Sequence, residues 1–233
     1  MEAGSDARPA DEPRANARLG VLFLVAFLDL LGFGILIPQL GIYAVKFQAA
    51  PFTVGLLLSV YSLMQLLFAP LLGRLSDRVG RRPVLLYSIA GSAAGYVLFG
   101  LAQSLGLLFL SRIIDGISGG NISTAQAYVS DVTTGEDRAR GMGIIGAAFG
   151  LGFILGPALG GVLGAAWGNL GIGLFAAALS AINWVLAFVL LPESRRPGTV
   201  TRTRSVAPAL PMLKVPVVGL GLVLFLVFTT AFS

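Results

Sequence analysis

Cysteine and histidine are absent from all 233 residues, which removes disulfide frameworks, thiol nucleophiles and the usual zinc and haem ligands. No nucleophile-base pair, phosphate loop after a strand or metal cluster stands out either, so neither enzymatic catalysis nor a cofactor or metal is expected. Charge is scarce: Asp, Glu, Lys and Arg make up 12% of the chain against 56% hydrophobic residues, and the mean hydropathy is +0.87. A soluble domain of this length could not hide so much apolar surface from water. The solvent implied is a lipid bilayer, and the fold class is an all-α membrane protein.

A hydrocarbon core of about 30 Å takes roughly 20 mostly apolar residues per helix. Runs of that length predict spans near Leu19–Ala44, Phe52–Arg74, Pro83–Ala102, Leu105–Val129, Ala139–Gly164 and Gly168–Leu191. The predicted organisation is a disordered tail over residues 1–18, six transmembrane helices over 19–191, a linker over 192–214, and a seventh helix over 215–233, where the chain ends. A basic tail before an apolar run also fits a signal peptide, but the first run exceeds the roughly 15-residue signal core.

The formal charge of +5 and the pI near 10.1 raise the question of nucleic-acid binding, which needs basic residues gathered on one watery surface. Here they alternate between the breaks. Arg8, Arg14 and Arg18 precede the first span; Arg74, Arg78, Arg81 and Arg82 follow the second; Arg138 and Arg140 follow the fourth; Arg195, Arg196, Arg202 and Arg204 follow the sixth; the opposite breaks hold only Lys46. Positive residues stay on the cytoplasmic side during insertion, so the N-terminus and linker are expected to be cytoplasmic. The basic pI is topology, and no nucleic-acid partner is expected.

An ionised side chain in hydrocarbon costs about 2.5–3.5 kcal/mol even on the lenient insertion scale, so the few intramembrane charges are functional candidates. Asp29 sits about ten residues into the first span, on the order of 15 Å deep at the helical rise. An apolar setting penalises its charged form, which makes it a candidate proton carrier; the plainer reading is a carboxylate satisfied by a neighbouring helix. Arg112 and Asp115, three apart in the fourth span, lie on neighbouring turns of one face and can pair. Arg112 is thus either an electrostatic partner that tunes a carboxylate's proton affinity or one member of a static pair. Candidate cavity groups chosen by polarity are Tyr61 and Gln65, four apart on the second helix, Asn121 and Gln126 on the fourth, and Asn183 on the sixth.

The fifth span carries Gly146, Gly150, Gly152, Gly156, Pro157, Gly160, Gly161 and Gly164, mostly at four-residue intervals, so one face is expected to be bare backbone that admits another helix closely. Between the second and third spans, Gly73-Arg74-Leu75-Ser76-Asp77-Arg78-Val79-Gly80-Arg81-Arg82-Pro83 has more than topology requires. Its aspartate can cap a helix N-terminus and pair with an arginine, holding one conformation.

These residues together resemble the major facilitator superfamily, within it the drug/proton antiporters close to tetracycline exporters, over roughly Leu19–Glu193. Gly73–Pro83 resembles the conserved loop, with Ser76 where alanine is common. Arg112 with Gly116 resembles the fourth-helix motif linked to proton coupling. Gly146–Gly164 is similar to the antiporter motif of helix five, and Asp29 with Gly32, Gly34 and Pro38 to the first-helix motif. The resemblance implies a six-helix N-terminal bundle of two inverted three-helix repeats and proton-coupled efflux of a small drug-like molecule by alternating access in the cell (inner) membrane. Asp29 would load the proton, tuned by Arg112 and Asp115. Gly73, Asp77, Arg78, Gly80, Arg81 and Arg82 would form a conformational latch. The glycine face, Gly146, Gly150, Gly156, Pro157, Gly160 and Gly161, would slide against the other half. Two departures matter. Gly95 stands where tetracycline exporters carry an acid, which counts against tetracycline itself. The family's second six-helix half does not follow, so the expected partners are the bilayer, a small substrate, protons, and a C-terminal half or partner chain. The alternative is a truncated, non-transporting membrane fragment or scaffold.

Overall fold

Backbone polar groups cannot go unpaired in hydrocarbon, so a chain this apolar must fold into helices or a closed barrel. The computed structural model describes residues 12–133 and 135–194. The seventh helix and all of the linker beyond Ser194 lie outside the described residues, as do residues 1–11. In order come α1 (Glu12–Lys46), α2 (Pro51–Val79), α3 (Arg81–Gly100), α4 (Leu105–Ser118), α5 (Asn121–Val132) and α6 (Gly135–Leu190).

Three boundaries depart from the sequence expectation. Helix α1 starts at Glu12, so residues 12–18, assigned above to a disordered tail, are helical; apart from Pro13, tolerated in a first turn, the stretch is built mainly from good helix formers. The expected fourth helix is interrupted: α4 ends at Ser118 and α5 begins at Asn121, with Gly119 and Gly120 between. Two successive glycines, the weakest helix formers after proline, supply the break. The expected fifth and sixth helices run on as α6, broken only at Gly168, whose φ of 64° and ψ of −159° suit glycine alone.

Among the described residues, four segments are long and apolar enough to cross a membrane: Leu19–Lys46, Pro51–Val79, Arg81–Gly100 and Asp137–Leu190. The last has 54 residues, enough for two crossings at about 20 residues each. With 14 and 12 residues, α4 and α5 reach that length only together.

Since lipid tails are as apolar as leucine, helices here associate by close packing more than by the hydrophobic effect. The most extensive contact joins α1 to α6. A Cβ on Gly156 would lie 2.6 Å from the carbonyl carbon of Gly34, and one on Gly152 would lie 2.9 Å from that of Leu30, so backbones touch where side chains would stand. This corrects the single glycine face. Gly152, Gly156 and Gly160 pack on α1, and Gly164 meets Gln39, whereas Gly146, Gly150 and Gly161 have nothing within 4 Å. The glycines that would slide against another half are therefore only the second set, because the first is occupied within this bundle. Around the α1–α6 seam lies a core of Ile35, Leu36, Tyr96, Phe99, Leu108 and Ile172. Helix α2 is peripheral, leaving Phe52, Leu66 and Leu71 more than half exposed.

Candidate functional site

Helices α1, α2, α3, α4, α5 and α6 all contribute to a cavity of about 320 Å³. Its apolar wall is aromatic. Phe33 lies with its ring centroid 4.8 Å from Tyr61 and 6.0 Å from Phe153, and Phe153 stacks on Phe149 at 4.5 Å. Its polar wall contains Asp29, Tyr61, Gln65, Ser92, Tyr96, Arg112, Asp115 and Asn121. This mixture, a large apolar surface with a few convergent polar groups, is that of a small-molecule site.

The α4–α5 break sets the polar geometry. It starts α5 at Asn121, whose Nδ2 donates to Asp29 Oδ1 at 2.7 Å, and it leaves the carbonyl of Gly119 to accept from Gln65 Nε2 at 2.9 Å. One turn before the break, Arg112 Nη1 lies 3.1 Å from Asp115 Oδ2, with the two side chains only 1% and 3% exposed. Asp115 also meets the Ser92 hydroxyl. Among the described residues, none of the three Arg112 nitrogens makes a hydrogen bond, so Asp115 meets it as an ion pair. Asp29, by contrast, is half-buried and borders the cavity. Gly95 is packed tightly: a Cβ there would lie 3.1 Å from both the Asp115 Cβ and the Ser111 carbonyl oxygen.

Of the sequence-chosen cavity residues, Tyr61, Gln65 and Asn121 line it, beside Asp29, Arg112 and Asp115. Two choices are corrected. Asn183 is fully buried elsewhere and donates to the Val25 carbonyl at 3.0 Å, joining α6 to α1. Gln126 is exposed one turn beyond the cavity. Polarity alone could not tell a buried amide that ties helices from one that faces a ligand. Phe33, Ser92, Tyr96, Phe149 and Phe153 were missed. Their signal was spacing: Phe33 follows Asp29 by four, and Ser92–Tyr96 and Phe149–Phe153 are also four apart, hence on shared faces.

A second polar cluster forms where α2 meets α3. Gly80, with φ of 108°, turns the chain so sharply that α3 begins at the next residue. Arg81, 7% exposed, reaches Asp77 at 2.8 Å, Asp131 at the end of α5 at 2.9 Å, and the Ser76 hydroxyl at 2.6 Å. The backbone N–H groups of Arg81 and Arg82 donate to Glu193 at 2.9 and 3.2 Å, so a carboxylate caps the positive end of α3. Arg82 donates to the Phe188 carbonyl and lies over that residue's ring. Gly73 offers its carbonyl to Ser76, and Arg78 is exposed. The pairing of Asp77 with Arg81 was expected; Asp131 and Glu193 were not considered, although each is an acid at a helix end rich in arginine.

The sequence pattern of the Major Facilitator Superfamily matches residues 22–233. The chain is 41% identical over 186 residues to the class C tetracycline resistance protein of Escherichia coli, covering 78% of this chain and 47% of that protein. To major facilitator superfamily domain-containing protein 10 of Bos taurus it is 37% identical over 225 residues, covering 82% and 49%. The crystal structure of the human organic anion transporter MFSD10 (TETRAN) superposes with a TM-score of 0.68 at 32% identity, covering 81% of this chain and 49% of that one. A bacterial homologue of the human lysosomal transporter Spinster, inward-facing and unoccupied, shares the fold, with a TM-score of 0.67 at 20% identity and coverage of 80% and 44%. The chain thus spans about half the length of the curated relatives it matches.

Proposed function

The chain belongs to the Major Facilitator Superfamily, and from that premise we propose that it forms one half of a proton-coupled exporter of small drug-like molecules that works by alternating access. In this reading α4 with α5 makes one span and α6 makes two, giving six, with the N-terminus in the cytoplasm and the protein in the cell (inner) membrane. The observation that carries the proposal is Asp29, a carboxylate near the middle of the first span that borders an aromatic-walled cavity. It has the geometry to exchange a proton with that cavity, while the neighbouring Arg112–Asp115 pair supplies a charge that feels the exchange. Gly146, Gly150 and Gly161 leave a bare surface for a second half, and the Arg81 cluster holds one conformation at the cytoplasmic end.

Family resemblance supports export, and the names of two relatives, a tetracycline resistance protein and an organic anion transporter, support a small organic molecule as cargo. Tetracycline itself is not proposed, because Gly95 stands where its exporters carry an acid, at a position packed tightly against Asp115. The test is proton-driven accumulation of a fluorescent drug-like dye in inverted membrane vesicles from cells expressing the protein. Asp29→Asn is expected to abolish the pH-gradient dependence at unchanged protein level. Undiminished gradient-driven accumulation in that variant would remove the coupling role.

A further inference from the structure

The two polar sites are joined by one short helix. At the first residue of α5, Asn121 donates to Asp29 at 2.7 Å; near its end, Asp131 holds Arg81 at 2.9 Å. Ten residues separate these groups, about 15 Å of helix. The helix is separated from α4 by Gly119 and Gly120, so a shift of α5 need not drag the Arg112–Asp115 pair with it. Its length is stiffened by packing: Ala125, Tyr128 and Val129 sit in a core with Leu19, Leu22 and Leu85, and the Tyr128 hydroxyl donates to the Pro192 carbonyl at 2.9 Å. A short, well-packed helix with a break at one end moves as a body, because packed interfaces have discrete arrangements.

We propose that Asn121 is a positioning residue that carries the charge state of Asp29 along α5 to the Arg81 cluster. The inference rests on the proton-coupling reading of Asp29. When Asp29 is ionised, the Asn121 bond is charge-assisted and holds the start of α5 against α1; when Asp29 takes up a proton, the bond becomes a neutral one of roughly half the strength. That difference in affinity between two positions of α5 is what allows proton uptake to shift their populations. At the far end the same shift displaces Asp131 from Arg81, which keeps Asp77 and Ser76 as partners. The other ionisable groups on the cavity are Asp115 and Arg112 from α4, Tyr61 from α2 and Tyr96 from α3; α6 contributes the uncharged rings of Phe149 and Phe153. None of these sits on α5, which meets the cavity through Asn121 and the apolar Ile122, so Asn121 is its polar link to Asp29.

A chain without cysteine allows a direct test. Spin labels on Val79→Cys at the end of α2 and Ser130→Cys on α5, in the full chain in lipid nanodiscs, report their distance by pulsed electron paramagnetic resonance. In the parent, lowering the pH is expected to shift the distance by roughly 1–2 Å, the scale of a helix displacement at an interface. Asp29→Asn should sit at the low-pH distance at every pH. Asn121→Ala should lose the pH response with Asp29 intact, and Asn121→Ser, which keeps a small polar group too short to reach Asp29, should do the same if the alanine variant fails to insert. A parent distance that ignores pH overturns the inference. Loss of the response in Asp29→Asn but not in either Asn121 variant overturns it while leaving the Asp29 reading intact. Persistence of the response in Asp29→Asn removes that reading and the inference with it.

Discussion

Arg112 and Arg81 are both buried guanidinium groups, 0% and 7% exposed, yet they are held in opposite ways. Among the described residues, Arg112 has one carboxylate at 3.1 Å and no hydrogen bond from any of its three nitrogens. Arg81 has two carboxylates within 2.9 Å and a hydroxyl at 2.6 Å. A charge with one partner depends wholly on it, because a buried charge left alone is far costlier than a buried pair. A charge with three partners can exchange one and stay satisfied. The charge at the cavity therefore rests on one ion pair, whereas the charge at the α2–α3 junction can lose a partner and stay satisfied.

The comparison can be broken most directly at Arg112. Replacing it by Met leaves Asp115 buried without its cation, which is expected to cost about 3–5 kcal/mol, measured as a lowered unfolding midpoint in detergent. The double variant Arg112→Met with Asp115→Leu should recover most of that loss, since hydrophobic replacement of both members of a buried pair is often close to neutral. If the double variant is no more stable than the single one, the pair is not the reason for the cost.

Arg81→Met is the matching change at the other site and is expected to cost less, about 1–3 kcal/mol. Both carboxylates it abandons can reach water: the Asp77 and Asp131 side chains are 48% and 26% exposed. A loss equal to that of Arg112→Met would show that solvent access does not separate the two sites.

The sequence makes these sites legible to different degrees, for physical reasons. Long apolar runs are unmistakable because a bilayer sets their length, and Asp29, Arg112 and Asp115 stand out because charge is so costly there. The Gly-rich loop shows its turn at Gly80 and its local ion pair, since Asp77 and Arg81 are only four residues apart across that turn. What stays hidden is whatever depends on distant segments meeting. Asp131 and Glu193 lie 50 and 112 residues from Arg81, and no periodicity links them. The split of the α6 glycines into an occupied and an open face follows from where α1 lies, and the aromatic wall is hidden because a phenylalanine facing lipid looks the same as one facing a cavity. The α4–α5 break was written in Gly119-Gly120, but Leu105–Val129 has the length of one crossing, so the run read as continuous.

The smallest expected effect sharpens the comparison furthest. Asp77→Asn should cost less than about 1 kcal/mol, because an ion pair with a half-exposed carboxylate contributes little in water, and the cost should shrink further at high salt. Asp131→Asn should cost somewhat more and respond less to salt, since that carboxylate is better buried. If Arg81 is held by redundancy, the double variant should lose more than the sum of the two, with a coupling of about 0.5 kcal/mol or more as expected for residues that share a partner. Each single change leaves the Arg81 guanidinium one of these two carboxylates, and only the pair of changes removes both. Strict additivity in a double-mutant cycle would mean that Asp77 and Asp131 do not substitute for one another, and that Arg81 depends on each partner as Arg112 depends on Asp115.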